Sequence, residues 1–158
     1  MPPRWVYPNV GERVARALGR ELRISLKESV EIAKVIKGMK LDEAIEYLER
    51  VVRKEAPVPY TRHRKQIAHR RGVNSQFQEW RTPVGRYPVK AARYILKVLR
   101  NARNNAENHG MDPEKLVIIH AAAHKGRVLK RYMPRAFGRA TPWFSITTNF
   151  EVIVKEVG

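Results

Sequence analysis

The sequence predicts an α+β fold, made of three helices and a β-hairpin. Three segments carry apolar residues at the spacing of an amphipathic helix, beginning near Ser25, Leu41 and Pro88. Towards the end of the sequence the pattern changes: apolar and polar residues alternate from Ser145 to Lys155, interrupted only by Ile153. Strict alternation is the period of a half-buried strand. Helices and paired strands therefore share one chain of 158 residues.

The first two dozen residues give no single prediction. Residues 1–10 include three prolines and are expected to form an extended arm. In residues 12–24, Val14, Leu18 and Leu22 fit the spacing of a helix and also lie on one face of a strand. The period alone leaves both structures open for this segment.

The first helix has a signal at each end. Ser25 followed by Glu28 predicts a capping box at its start. Gly38 follows the last apolar residue at helical spacing, and glycine commonly ends a helix. We therefore expect one helix between Ser25 and Gly38.

The second and third helices are bounded by prolines and glycine. The second begins near Leu41 and is expected to end before Pro57. Pro88 suits the first turn of the third helix, and Gly110 can take the position just after its end.

A long basic hairpin is predicted for residues 115–156. Its outgoing limb begins with the β-rich run 116–119, and Pro134 and Gly138 mark the reversal. About sixteen residues a limb would span roughly 50 Å, whereas a compact chain of this length has a radius of gyration of roughly 15 Å. Part of the hairpin is therefore expected to protrude. Seven basic residues and no acidic ones lie between Glu114 and Glu151, so an anionic partner is expected to hold it.

Composition narrows the class of protein. The length predicts one domain, residues 1–158. A net charge of +17 favours a large polyanion, and nucleic acid is the leading candidate. There is no cysteine, which excludes disulfides and thiol catalysis. The first residues do not resemble a signal peptide, and no apolar run approaches a membrane span, so no membrane partner is expected.

Residues 56–87 are predicted to be a basic insertion or loop. Prolines and glycines interrupt a series of cations, and Tyr60, His63, His69, Phe77 and Trp80 lie among them. Aromatic rings and arginines together are what unpaired RNA bases stack on. We expect this stretch to be disordered alone and to fold on RNA. Residues 26–50, by contrast, carry a net charge of −1 and are expected to face away from the polyanion.

No catalytic residue, metal site or cofactor is predicted. His120 and His124 are four residues apart, but in a strand that places them roughly 13 Å apart. No nearby carboxylate supplies a third ligand, so a zinc site is not expected. Nucleophile-elbow, triad and phosphate-loop signatures are absent from the sequence.

Several motifs resemble one family, the universal large-subunit ribosomal protein L-twenty-two family in its archaeal and eukaryotic form. The most specific is MPRAFGRA at residues 133–140, after a basic strand. The others lie at residues 25–29, 36–38, 85–88, 104–108 and 120–125, and together they cover most of the chain from about residue 13. Two departures are visible. Bacterial-type members lack residues 56–87, and Phe137 stands where those members often carry lysine.

The resemblance implies three helices packed on a small three-stranded antiparallel sheet with a long protruding β-hairpin, and makes residues 13–24 the first strand. It also implies a cytoplasmic, non-enzymatic constituent of the large ribosomal subunit that binds ribosomal RNA. Neighbouring ribosomal proteins and the nascent peptide in the exit tunnel, which the hairpin would line, are the other implied partners. An RNA-modifying or RNA-cleaving enzyme and a free RNA chaperone are the alternatives.

Fifteen cations are the predicted RNA-binding residues, chosen from the basic stretch, the start of the third helix and the hairpin. At the tip we expect Arg135 and Arg139 to contact phosphate, and Lys130 and Arg131 to face the tunnel lumen. The full set is Arg62, Arg64, Lys65, Arg70, Arg71, Arg81, Arg86, Lys90, Arg93, Lys125, Arg127, Lys130, Arg131, Arg135 and Arg139.

Overall fold

The computed structural model describes residues 13–73, 77 and 82–157. The predicted extended arm at residues 1–10 and the predicted RNA contact Arg81 lie outside them. The described helices are α1 (Leu26–Ile36), α2 (Leu41–Val52) and α3 (Val89–Asn108), with a short 3₁₀ turn at Pro113–Lys115. The strands are β1 (Val14–Leu22), β2 (Val58–Pro59), β3 (Gly85–Arg86), β4 (Leu116–Leu129), β5 (Tyr132–Pro134), β6 (Ala140–Pro142) and β7 (Ser145–Glu156).

The main sheet is antiparallel, with three strands in the order β1-β7-β4. Residues 14–22 therefore form a strand, as the family resemblance implied. The residues that point into the core are Ala15 and Ala17, which are 1% and 2% exposed, while Val14 and Leu18 on the other face stay half-buried. Small residues are needed on the inner face because α3 lies close: a Cβ on Gly19 would come within 2.8 Å of Val98 Cγ2.

All three helices contribute to one apolar core beside this sheet. Helix α3 packs on β1 and β7, α1 packs on β4, and α2 packs against α3. Fully buried side chains of each helix, such as Ile32, Leu48 and Leu99, belong to the same apolar cluster as Phe150 of the central strand. Burying one face of each amphipathic helix supplies the main stabilisation. The predicted α+β class, with three helices on an antiparallel sheet, is confirmed.

The start of α1 differs from the prediction. Ser25 is the N-cap residue, but its side chain makes no capping hydrogen bond. Instead, the Ser29 hydroxyl donates to the Ser25 carbonyl oxygen at 2.8 Å. The predicted capping box is therefore wrong in its hydrogen bonds, although the boundary is right. At the other end Gly38 has φ +89° and its N–H donates to the Ile118 carbonyl oxygen, as a helix-ending glycine allows.

Residues 115–156 pair as antiparallel strands on both sides of the predicted reversal. β4 pairs with β7 from Leu116↔Glu156 to Leu129↔Ser145, and β5 pairs with β6 beyond them. The turn is closed by the Arg135 N–H, which donates to the Arg139 carbonyl oxygen at 2.8 Å. Every residue from 130 to 146 is exposed. How far this segment extends from the domain stays a prediction.

The basic stretch 56–87 is not a structureless loop, and that prediction is wrong for its described residues. β2 pairs with β3, and the Tyr60 N–H donates to the Val84 carbonyl oxygen at 3.1 Å. Val73 and Phe77 are buried in the same region. A Cβ on Gly85 would come within 2.9 Å of the Val58 carbonyl oxygen, so glycine is required where these strands meet. Irregularly spaced apolar residues explain the error, because they produce no helical or strand period.

Within the described ranges, no helix is long and apolar enough to cross a membrane.

Candidate RNA interface

The predicted RNA-binding cations share one property, which is exposure. Fourteen of the fifteen lie among the described residues, and all fourteen are exposed. None is used to balance a buried acid, so their charges face solvent and can meet phosphate. Two of the aromatic residues predicted to stack on bases behave differently: Tyr60 is 2% exposed and Phe77 is 8% exposed. Their rings belong to the core, and that part of the prediction is wrong.

A buried carboxylate fixes the start of the basic stretch. Glu31 of α1 is fully buried and accepts hydrogen bonds from the backbone N–H groups of Thr61, Arg62 and His63 at 3.0, 3.0 and 2.8 Å. The Thr61 hydroxyl and the His63 Nδ1 also reach it, at 3.2 and 3.1 Å. Burial alone would raise the pKa of Glu31, but these hydrogen bonds outweigh burial and lower it. Residues 61–63 are thus held to α1 by an ionised group.

Three of the predicted cations converge on one cavity, the α1 cavity. It has a volume of about 440 Å³ and lies between the start of α1 and the 60–67 segment. Arg62, Lys65 and Arg86 line it, together with Lys27. Sequence analysis missed Lys27 because it belongs to the segment of net charge −1. The signal that could have found Lys27 was its position in the first turn of α1, just after the N-cap residue Ser25.

A second group of cations joins the third helix to the hairpin. Lys90 and Arg131 line a cavity of about 370 Å³ with Arg23, which sequence analysis also missed. Arg93 borders a further cavity of about 480 Å³ that lies between α2 and α3. The structure therefore brings some predicted residues together across elements. The others line none of these three cavities, and they are Arg64, Arg70, Arg71, Lys125, Arg127, Lys130, Arg135 and Arg139.

Exposed aromatic residues accompany the cations of the hairpin. Tyr132, Phe137, Trp143 and Phe144 are 61%, 95%, 58% and 44% exposed. The Tyr132 and Phe144 rings meet edge to face, with centroids 5.8 Å apart. Large apolar rings left in solvent are typical of a surface that meets a partner. These rings were not among the predicted RNA-binding residues, which are all cations. Trp143 and Phe144, adjacent to each other just before a strand, were a signal visible in the sequence.

Two ion pairs join helices α2 and α3. Arg100 of α3 donates to Glu49 of α2 at 3.0 Å, and Arg103 donates to Asp42 at 3.1 Å. These pairs neutralise two of the acidic side chains of α2. The expectation that residues 26–50 face away from a polyanion stays a prediction, and the start of α1 lies beside predicted RNA-binding cations in the α1 cavity.

The side chains of the two histidines of β4 both reach one carboxylate. His120 Nε2 lies 2.8 Å from Glu151 Oε1, and His124 Nε2 lies 3.5 Å from the same oxygen. Glu151 is paired with Ala122, so the histidines two residues on either side reach it diagonally. The predicted lack of a nearby carboxylate is therefore wrong, because the rings of both histidines reach one oxygen of Glu151. Among the residues that the structure describes, no group of three or more such side chains could hold a metal ion.

Comparison with known proteins gives one consistent result. The family model described as Ribosomal protein L22p/L17e matches residues 17–155. The chain belongs to this family. A large ribosomal subunit protein uL22 of Ignicoccus hospitalis is 54% identical over 92% of this chain and 90% of its own. Those of Archaeoglobus fulgidus and Methanocaldococcus jannaschii are 51% and 52% identical, over 94% and 92% of this chain and 92% and 89% of their own.

Membership of the Ribosomal protein L22p/L17e family confirms the resemblance seen in the motifs. It also confirms the prediction of a structural protein rather than an enzyme, since this is a family of ribosomal proteins. The match begins within β1 and ends within β7, and it therefore includes the basic stretch, the third helix and nearly all of both limbs of the hairpin.

Proposed function

We propose that this protein is a structural constituent of the large ribosomal subunit in the cytoplasm, where it binds ribosomal RNA. The observation that supports this most directly is the exposure of all fourteen described candidate cations in a member of a ribosomal protein family. The net charge of +17 favours a large polyanionic partner. Ribosomal RNA is such a polyanion, and neighbouring ribosomal proteins are the other proposed partners.

The contacts are expected to be mainly with phosphate and sugar. Lysine and arginine side chains at exposed positions neutralise phosphates and release counterions, which gives affinity without sequence readout. A protein built into a fixed assembly needs correct placement more than base recognition. In this proposal the chain is one domain over residues 1–158, whose two RNA-binding extensions are residues 56–87 and 115–156.

The hairpin tip is proposed to line the polypeptide exit tunnel and to meet the nascent peptide. Support comes from residues 130–146, which are exposed throughout and carry both cations and aromatic rings. Arg135 and Arg139 would contact phosphate. Arg131 lines a cavity with Lys90 near the domain, so Lys130 is the better candidate for facing the lumen.

Sedimentation tests the ribosomal assignment. Lysate is centrifuged through a gradient at high salt, and the protein is followed across the subunit fractions. A structural constituent travels with the large subunit, because its many contacts are buried in the assembly. A protein that leaves the subunit fraction at high salt is a loosely bound factor, which would contradict the proposal.

A deletion tests the tunnel assignment. Removing residues 129–132 is expected to leave the thermal transition of the domain nearly unchanged and to permit incorporation, because residues 130–132 are exposed. Translating ribosomes that carry the deletion should respond differently to stalling peptides and tunnel-binding drugs. Unchanged responses to all of them, in fully assembled subunits, would argue against a tunnel position.

A further inference from the structure

The α1 cavity has the charge and size of a site for a small anionic ligand. Its volume of about 440 Å³ falls within the range of ligand pockets. Four cations line it, Lys27, Arg62, Lys65 and Arg86, against one carboxylate, Glu28. Cavities lined by one sign of charge concentrate ligands of the opposite sign.

Tyr60 lines this cavity, and its hydroxyl is buried and has no hydrogen-bond partner among the described residues. Buried polar groups are rarely left unpaired, so an unpartnered one calls for an explanation. Burial, and next the charge of Glu28, raise the pKa of this hydroxyl well above its ordinary value of 10.0. The group therefore keeps its proton and can donate a hydrogen bond to a ligand in the cavity.

The first turn of α1 opens onto the same space. Ser25, the N-cap residue, lines the cavity but does not cap the helix with its side chain. The first N–H groups of a helix have no partner within the helix and favour an anion. Lys27 stands in this turn, and Lys65 faces it from the 60–67 segment. Together they form a place for a phosphate group.

His63 and Ile67 complete the wall beside Tyr60. His63 Nδ1 lies 3.1 Å from Glu31, which can only accept a hydrogen bond. In the neutral ring Nδ1 therefore carries the hydrogen, and Nε2 is an acceptor. The cavity thus offers the Tyr60 side chain, an imidazole ring and an apolar side chain, next to its cations. These are the groups that recognise a nucleobase edge and face.

We propose that the α1 cavity holds one unpaired nucleotide of an RNA strand. Its phosphate lies at the start of α1 between Lys27 and Lys65, and its base lies against Ile67 with its edge towards Tyr60 and His63. The inference rests on the proposed function, since it requires a protein that binds RNA, and adds to it a specific point of recognition. Sequence-tolerant phosphate contacts elsewhere would give affinity, and this cavity would set the register.

The test uses the full chain and short RNA duplexes that are fully paired or carry one bulged nucleotide, with each base tried in turn. Affinity is measured by fluorescence anisotropy. The variant Tyr60→Phe removes only the hydroxyl, and Lys65→Gln removes a charge from an exposed side chain, where substitutions usually change stability little. Their matched controls are Tyr47→Phe, whose hydroxyl already donates to the Pro57 carbonyl oxygen at 3.0 Å, and Arg64→Gln, which does not line the cavity.

The native chain is expected to prefer at least one bulged duplex over the paired duplex. Tyr60→Phe should reduce that preference roughly fivefold, as expected for one lost hydrogen bond, and leave binding to the paired duplex unchanged. Lys65→Gln should also reduce the preference, whereas both controls should keep it.

Two results would overturn the inference. One is equal affinity for bulged and paired duplexes in the native chain, which would leave the proposed function intact if ribosomal RNA is still bound. The other is full competition of bulge binding by free adenosine monophosphate at low concentration, which would assign the cavity to a free nucleotide. Loss of binding to ribosomal RNA itself would instead contradict the proposed function.

Discussion

Replacing Glu31 with glutamine should destabilise the whole domain, although Glu31 contacts no proposed ligand. Its two carboxylate oxygens accept five hydrogen bonds. Oε1 accepts from the backbone of Arg62 and His63 and from the His63 ring, and Oε2 accepts from the backbone and hydroxyl of Thr61. A glutamine can keep one oxygen in place, but its amino group must then face N–H donors.

The expected loss follows from these contacts. At least one buried N–H group loses its acceptor, which costs about 1–3 kcal/mol, and the other hydrogen bonds lose the strengthening effect of the charge. We expect a total of about 3 kcal/mol, close to the lower end for breaking a buried charged pair. In a domain of this size that corresponds to a fall in Tm of roughly 6–12 °C.

Denaturant unfolding of the free full-length protein measures this loss, with Glu49→Gln as the matched control. Glu49 also pairs with an arginine, but the Arg100 and Glu49 side chains are 62% and 39% exposed, so its loss should be below about 0.5 kcal/mol. Because the pKa of Glu31 is lowered on folding, its contribution is complete above the unfolded value of 4.5 and is lost as pH falls through the folded value. The difference between native and Glu31→Gln proteins should shrink accordingly in acid. Equal stability of the two proteins at neutral pH would refute the reasoning.

Three further outcomes are expected. If about eight phosphates are neutralised, the logarithm of RNA affinity should fall with the logarithm of salt concentration at a slope of roughly −6 to −7, and a slope near −1 would contradict this. Phe150→Ala should cost about 3–5 kcal/mol in denaturant unfolding because Phe150 is fully buried. Phe137→Ala, at a side chain 95% exposed, should change stability by less than about 0.5 kcal/mol, and a similar loss in both would be evidence against the assigned core. Backbone amides of residues 64–67 should exchange quickly in the free protein and slowly on ribosomal RNA, since these side chains are mostly exposed; high protection in both states would argue against ordering by RNA.

The helices could be predicted from the sequence because their apolar residues recur at helical spacing and because residues typical of helix ends lie at their boundaries. The first strand could not. Val14 and Leu18 are large apolar side chains that stay half-buried, whereas the core side is formed by Ala15 and Ala17. Leu22 lies beyond a register shift and packs against the core. Over residues 14–18 the larger apolar side chains therefore lie on the face away from the core, because a close helix admits only small residues. The family resemblance supplied the answer that the period left open.

The candidate site was predictable in composition but not in arrangement. The exposure of the candidate cations follows directly from their charge, and all fourteen described candidates are exposed. Nothing in the local sequence reveals that Glu31 would bind a loop thirty residues away, or that Tyr60 would turn into the core. Both depend on the pairing of β2 with β3, which brings distant segments together. Long-range pairing of this kind has no local periodic signature.

The strand order has a consequence for how the protein is made. β7 is the central strand, paired with both β1 and β4, and it follows them in the sequence. At a synthesis rate of roughly 5–20 residues per second, β1 waits about 6–25 s for its partner. During that time its open edge can pair with other chains, so a newly made chain needs protection until β7 has emerged. A translation product that stops before Ser145 would keep two strands with nothing between them and could not form the sheet at all.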